Sequence, residues 1–207
     1  MVVDHPIAKS AKFFHAHSPG AERPRTIKRA IIGTFAVVGM LTIFVMPGKG
    51  AASGWIVQGC GDFNGDRKSD VFWQSATGQT RAWLMNGDRI DKETFYDLVQ
   101  PTSGWTVQGF GDFNGDGKTD VFWYNSNTGE TSAWLMNGDR VSQYTKYAVV
   151  EPSSGWTVQG FGDFNGDGKD DVFWYQTTGD ASVWLMNGDH VDKNPRIDQI
   201  ERHVFIN

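Results

Sequence analysis

In GDFNGDGKTD, residues 111–120, oxygen-bearing side chains fall at alternate positions: Asp112, Asn114 and Asp116, followed by Asp120. Counted from Asp112, the sixth residue is Gly117, which allows the sharp turn that folds donors around one centre. The seventh, Lys118, offers its backbone carbonyl. Three carboxylates, one amide and one carbonyl, with no His or Cys, form a hard oxygen shell. Such a shell suits Ca2+ and disfavours zinc or copper. Without a cation, carboxylates crowded this closely repel one another. The competing reading is a polar Asx-turn loop, which Asp, Asn and Gly form without any ion.

The same run is written three times. Asp62, Asn64, Asp66, Lys68 and Asp70 form the first set, and Asp163, Asn165, Asp167, Lys169 and Asp171 the third. Three copies at matched spacing favour calcium, with up to three ions per chain. Arg67 stands where the other loops have Gly117 and Gly168. A non-glycine there costs about 1 kcal/mol if the position is left-handed. Its positive charge also lies near the ion, so the first site is expected to be the weakest. An EF-hand is excluded, because the twelfth positions are Trp73, Trp123 and Trp174 rather than Glu, and the flanks read as strands.

The elements that must position these loops repeat with them. Gly54-Trp55, Gly104-Trp105 and Gly155-Trp156 open three units, and all nine tryptophans fall at equivalent positions. Within a unit, WTVQG alternates, DVFWY is a short apolar run and TSAWLM follows a turn at Asn127-Thr128-Gly129. Asn137-Gly138 predicts a type I′ hairpin turn, and RVSQYTKYAVV a fourth, weaker strand. The sequence therefore predicts an all-β chain of three four-stranded antiparallel repeats, each the size of a β-propeller blade, after an N-terminal hydrophobic export or anchor helix. The expected divisions are a basic disordered region at 1–29, a signal core or anchor with its exit at 30–53, and repeats at 54–103, 104–154 and 155–207.

A lone sheet cannot bury both faces, so the units should pack face to face, with tryptophans filling the space between them. Three blades are too few for a closed ring, which usually takes four to eight. Self-association is expected, most simply a homodimer closing a six-bladed ring, with an open stack or a piece of a larger propeller as alternatives.

Residues 1–53 hold seven Lys/Arg and two Asp/Glu (+5), leaving twelve and twenty-two (−10) for residues 54–207. The acidic part carries no basic stripe, which argues against a nucleic-acid partner. Ala30 to Met46 is an uncharged apolar stretch with a basic flank and a small-residue exit, GKGAAS. That pattern describes an export signal, with an uncleaved membrane anchor as the alternative. Residues after 53 are then extracellular or at the cell surface. The single cysteine, Cys60, has no intramolecular partner and occupies the place of Phe110 and Phe161, so it is expected to be a small buried apolar residue.

The FGDFNGDGK-x-DVFW signature at this period resembles the FG-GAP repeat and its bacterial VCBS-type relatives, over residues 54–207. The resemblance implies integrin-α-like β-propeller blades with calcium in their loops, and surface recognition of proteins or glycans. The Gly-Ala-Pro half of the family name is absent. Beyond that, an adhesion or interaction module is the first functional reading. A lectin is the second, with Trp83, Trp134 and Trp184 stacking on sugar faces in grooves between blades, although core packing is the favoured reading of these residues because strand tryptophans at regular positions usually fill interfaces. No Ser/His/Asp or Cys/His set recurs, and His190 and His203 are isolated. No enzymatic activity is expected.

Overall fold

The computed structural model describes residues 54–197. The basic stretch at 1–29, the export or anchor segment at 30–53 and His203 lie outside the described residues. Among the described residues no helix is long and apolar enough to cross a membrane.

Three antiparallel sheets follow one another along the chain. The first is β1 (Trp55–Gly61), β2 (Asp70–Ser75), β3 (Gln79–Asn86) and β4 (Arg89–Leu98), hydrogen-bonded in that order. The second is β5 (Trp105–Gly111), β6 (Asp120–Asn125), β7 (Thr131–Met136) and β8 (Val141–Tyr144). The third is β9 (Trp156–Gly162), β10 (Asp171–Gln176), β11 (Ala181–Asn187) and β12 (His190–Lys193), with the short β13 (Arg196–Ile197) also on β11. The Pro-Thr-Ser and Pro-Ser-Ser links form 3-10 turns, each closed by a left-handed glycine, Gly104 or Gly155.

Each first strand carries a register shift at its glutamine: Val57 pairs with Trp73, but Gly59 pairs with Phe72. The same bulge falls at Gln108 and Gln159. An extra residue changes which side the rest of the strand presents. As a result Trp105, Val107 and Phe110 all pack toward the first sheet, while Gly109 and Gly111 face the third. Two apolar layers result. Phe63, Phe72, Ala82 and Leu84 of the first sheet meet Val121, Trp123, Trp134 and Met136 of the second. Phe113, Phe122, Ala133 and Leu135 of the second meet Val172, Trp174, Trp184 and Met186 of the third. No closed ring is present in the described chain.

Two local expectations are corrected. The hairpin turn is Gly-Asp rather than Asn-Gly. Asn86 pairs with Arg89 across it, Gly87 has φ 68°, and neither Asn86 nor Asp88 has positive φ. Glycine at the first central position is the type II′ pattern. The fourth strand of the second sheet is also shorter than RVSQYTKYAVV suggests. The regular strand ends at Tyr144, where the Thr145 hydroxyl accepts from the Ala133 N–H at 2.8 Å, although the Thr145 and Tyr147 N–H groups still donate to the Ala133 and Thr131 carbonyls of β7.

Candidate functional site: the acidic loops and the grooves between sheets

Each acidic loop joins the first two strands of its sheet and has the same internal bonding. In the second loop, Asp112 Oδ1 accepts from the N–H groups of Gly115 and Asp116 (2.8 and 3.1 Å), and Oδ2 from that of Gly117 (2.8 Å). Asn114 Oδ1 accepts from the Asp116 N–H, and Asp116 Oδ1 from the Lys118 N–H. The first and third loops repeat these bonds around Asp62 and Asp163. Three N–H groups bonded to one carboxylate hold the loop curled; Arg67 accepts that curl at φ 66°, a left-handed angle that suits glycine better. The fifth-position carboxylates also pair with the lysine two residues on, Asp66 with Lys68 at 3.0 Å and Asp116 with Lys118 at 3.1 Å.

The ninth-position aspartates behave differently. Asp70, Asp120 and Asp171 are fully buried. Asp120 Oδ2 accepts from the Phe113 N–H at 3.1 Å and Oδ1 from the Met136 N–H at 2.8 Å, so it ties the loop to β7. Asp70 does the same with Phe63 and Met85, and Asp171 with Phe164 and Met186. Burial, reinforced by the charges of Asp112 and Asp116, pushes the Asp120 carboxyl up to about 8. The Asp70 and Asp171 carboxyls are raised for the same main reason.

The donor chemistry of these loops fits a hard cation: every candidate ligand atom is an oxygen, and a bound cation would favour the charged form of the buried carboxyl. The side-chain arrangement is looser than a finished metal site. Among the described residues no three His, Cys, Asp or Glu side chains are gathered so as to hold an ion.

Successive loops are also joined to each other, which sequence reasoning missed. The Thr119 N–H donates to the Asp62 carbonyl at 2.6 Å, and the Thr119 hydroxyl accepts from the Asp62 N–H at 3.0 Å. Asp170 repeats both contacts on Asp112. The hairpin glycines Gly138 and Gly188 donate to the carbonyls of Phe63 and Phe113 at 2.8 Å. Tyr96 and Tyr147 donate their hydroxyls back to the carbonyls of Gly138 and Gly188 at 2.6 Å. Lys92 pairs with Asp139 across the same boundary. The signal was present at the eighth loop position, where Ser69, Thr119 and Asp170 are all short side chains bearing oxygen.

Among the described residues, two equivalent tryptophan-walled grooves lie between adjacent sheets. One, of ≈ 390 Å³, is lined by Trp105, Trp123, Ser132, Trp134 and Tyr144 together with Leu98 of β4. The other, of ≈ 340 Å³, is lined by the equivalent Trp156, Trp174, Ser182 and Trp184, with Glu151 and Arg196. Trp123 and Trp174 are only 2% and 3% exposed, and their indole N–H groups have no hydrogen-bond partner. Of the expected ligand tryptophans, Trp134 and Trp184 border the grooves but are only 7% and 6% exposed and belong to the two apolar layers. Trp83 borders neither: it lies with Trp55 and Trp73 beneath the Arg81 guanidinium, 4.1–5.4 Å from the three ring centres, and donates to Glu93.

Cys60 is exposed, which corrects the expectation of burial. Phe110 and Phe161 are covered because a preceding sheet supplies Gly59 and Gly109 beneath their rings; no described sheet precedes Cys60. His190 is exposed and sits between Asp189 and Asp192, which raise its pKa, with Asp189 the larger influence.

Sheets repeated in tandem, each led by an acidic Asp-Asn-Asp loop bonded to the next, define an all-β tandem-repeat protein whose units depend on their neighbours for a core. The FG-GAP-like repeat matches residues 62–123 and 112–174, together more than half of the chain, and the chain belongs to that family. No curated protein and no solved structure matches it.

Proposed function

We propose that residues 54–207 act as an exported interaction module, of the adhesion type that FG-GAP-like repeats suggest, stabilised by calcium in its loops. The observation that supports this is the threefold recurrence of one oxygen-only donor set with one hydrogen-bond pattern. Asp112, Asn114, Asp116, the Lys118 carbonyl and Asp120, with their equivalents, would hold the ion. Calcium, when bound, would supply the positive charge that these carboxylates lack. An ion that binds the folded loop but not the unfolded chain stabilises by about 2.7 kcal/mol at a hundred times its Kd. Extracellular calcium is abundant enough for sites of modest affinity. Export rests on the basic flank, apolar stretch and small-residue exit at 30–53, with membrane anchoring through residues 30–46 as the alternative. Thermal unfolding of the full chain in calcium and in chelator tests the metal's role. Calcium should raise Tm by several degrees, and identical melting in both would remove calcium from the account.

A glycan ligand is the second reading. It is favoured by two equivalent grooves walled by tryptophan rings, of which Trp105 and Trp156 are partly exposed. Ring faces stack on apolar sugar faces. Tryptophan fluorescence titrated with a broad sugar panel should respond and should lose its response in Trp105→Ala with Trp156→Ala, the part-exposed groove rings. Silence across the panel would leave protein surfaces as the ligand class.

A further inference from the structure

The third sheet presents outward the same surface that the first and second sheets use to hold their neighbours. In those two contacts the next sheet's Phe110 or Phe161 ring lies over Gly59 or Gly109, and Thr119 or Asp170 lies over Gly61 or Gly111. A Cβ at Gly59 or Gly109 would run into the ring. Gly160 and Gly162 are the third copies of these glycines. Neither is in the left-handed region, a Cβ on Gly160 would meet open space, and one on Gly162 would meet only its own loop's Phe164 at 4.0 Å. Their own backbone gives no reason for glycine; a neighbour does. Phe164 is 55% exposed, whereas Phe63 and Phe113, covered by the next sheet, are fully buried. The carbonyls of Asp163 and Phe164 are the counterparts of those that receive the next sheet's N–H groups in the first two contacts.

The outward face of the first sheet carries the matching half. Ser69 has the hydroxyl and N–H that Thr119 uses, and Gly87 is the hairpin glycine equivalent to Gly138 and Gly188. Lys68 corresponds to Lys118 and Lys169, whose stems lie 3.3 and 3.2 Å from a Cβ placed at Gly65 and Gly115; the third copy of that glycine, Gly166, is open. Asp88 corresponds to Asp139 and Lys193 to Lys92, the pair that bridges the first boundary at 2.8 Å. Two positions differ: Cys60 replaces the phenylalanine, and Ile197 replaces the tyrosine.

We propose that the third sheet docks the first sheet of a second copy of this chain, through Gly160, Gly162, Asp163 and Phe164 on one side and Cys60, Ser69, Gly87 and Asp88 on the other. Two such contacts, related by a two-fold axis, close a six-sheet pair and leave neither face exposed. The contact stands apart from the calcium reading. It continues an interface already made twice within the chain.

The space a phenyl ring fills in the other two contacts is left to Cys60, so Gly160→Cys puts a second thiol beside it only in the docked pair. Under mild oxidation the full-length Gly160→Cys chain should form a disulfide-linked dimer with no alkylatable thiol remaining. The unaltered chain and the Cys60→Ser, Gly160→Cys double variant, each with one thiol, should stay largely monomeric on a non-reducing gel. Phe164→Glu added to Gly160→Cys should reduce the crosslink at least tenfold. A ladder of trimers and longer species would overturn the closed pair. Monomer alone, or equal crosslinking in the single-thiol controls, would overturn the docking itself.

Discussion

Asp120 accepts from two backbone N–H groups while it lies buried beside Asp112 and Asp116. Asparagine there keeps the shape but offers an NH2 group to one of those N–H donors, so Asp120→Asn should destabilise the chain by about 1–3 kcal/mol in chelator. Its folded-state pKa, about 8, stands above the ordinary 3.8. The folded chain therefore holds this proton where the unfolded chain releases it. The associated stability is full below pH 3.8 and is lost as pH rises through about 8. Denaturant melts in chelator should show that loss in the unaltered chain, and a smaller one in Asp120→Asn. Arg67 is the other residue out of keeping with its place. Arg67→Gly relieves a left-handed angle but gains unfolded-state entropy, so a net stabilisation of up to ~1 kcal/mol is expected by chemical denaturation.

Between elements, the boundary glycines separate packing from backbone conformation. Gly59→Ala, at a residue outside the left-handed region, drives a methyl into the Phe110 ring and should cost roughly 1–3 kcal/mol. Gly160→Ala meets open space among the described residues and should change the monomer's unfolding by no more than about 0.5 kcal/mol. Equal losses at both would mean that glycine is needed by the strand rather than by the contact. Tyr147→Phe removes the hydroxyl bonded to the Gly188 carbonyl and should cost about 0.5–1.5 kcal/mol. The strands and their order were legible, because Trp, Val and Phe alternate and turns punctuate them. The bulges at Gln58, Gln108 and Gln159 were not, because a bulge exists only against its partner's register. The hairpin was mistyped for the same reason: Asn-Gly is a strong local signal, but pairing of Asn86 with Arg89 moves the turn on by one residue.

For the molecule as a whole, the repeat was readable because its fifty-residue period is nearly free of insertions. The acidic loops were readable as curled turns because Asp, Asn and Gly at these spacings bond to their own backbone. What hid was whatever distinguishes one unit from the next. Cys60 looked equivalent to Phe110, yet equivalence in the repeat does not supply the neighbour that buries it. Arg81 stands where Ser132 and Ser182 do, and its stacking on three tryptophans depends on the face being open. The central claim is that these loops bind calcium. Calorimetric titration of the chelator-stripped full chain with calcium tests it most directly. The account predicts uptake of two or three ions per chain, the weakest lost in Asp62→Ala and strengthened by Arg67→Gly. No heat of binding at millimolar calcium would contradict it and leave the loops as turns held by their own hydrogen bonds.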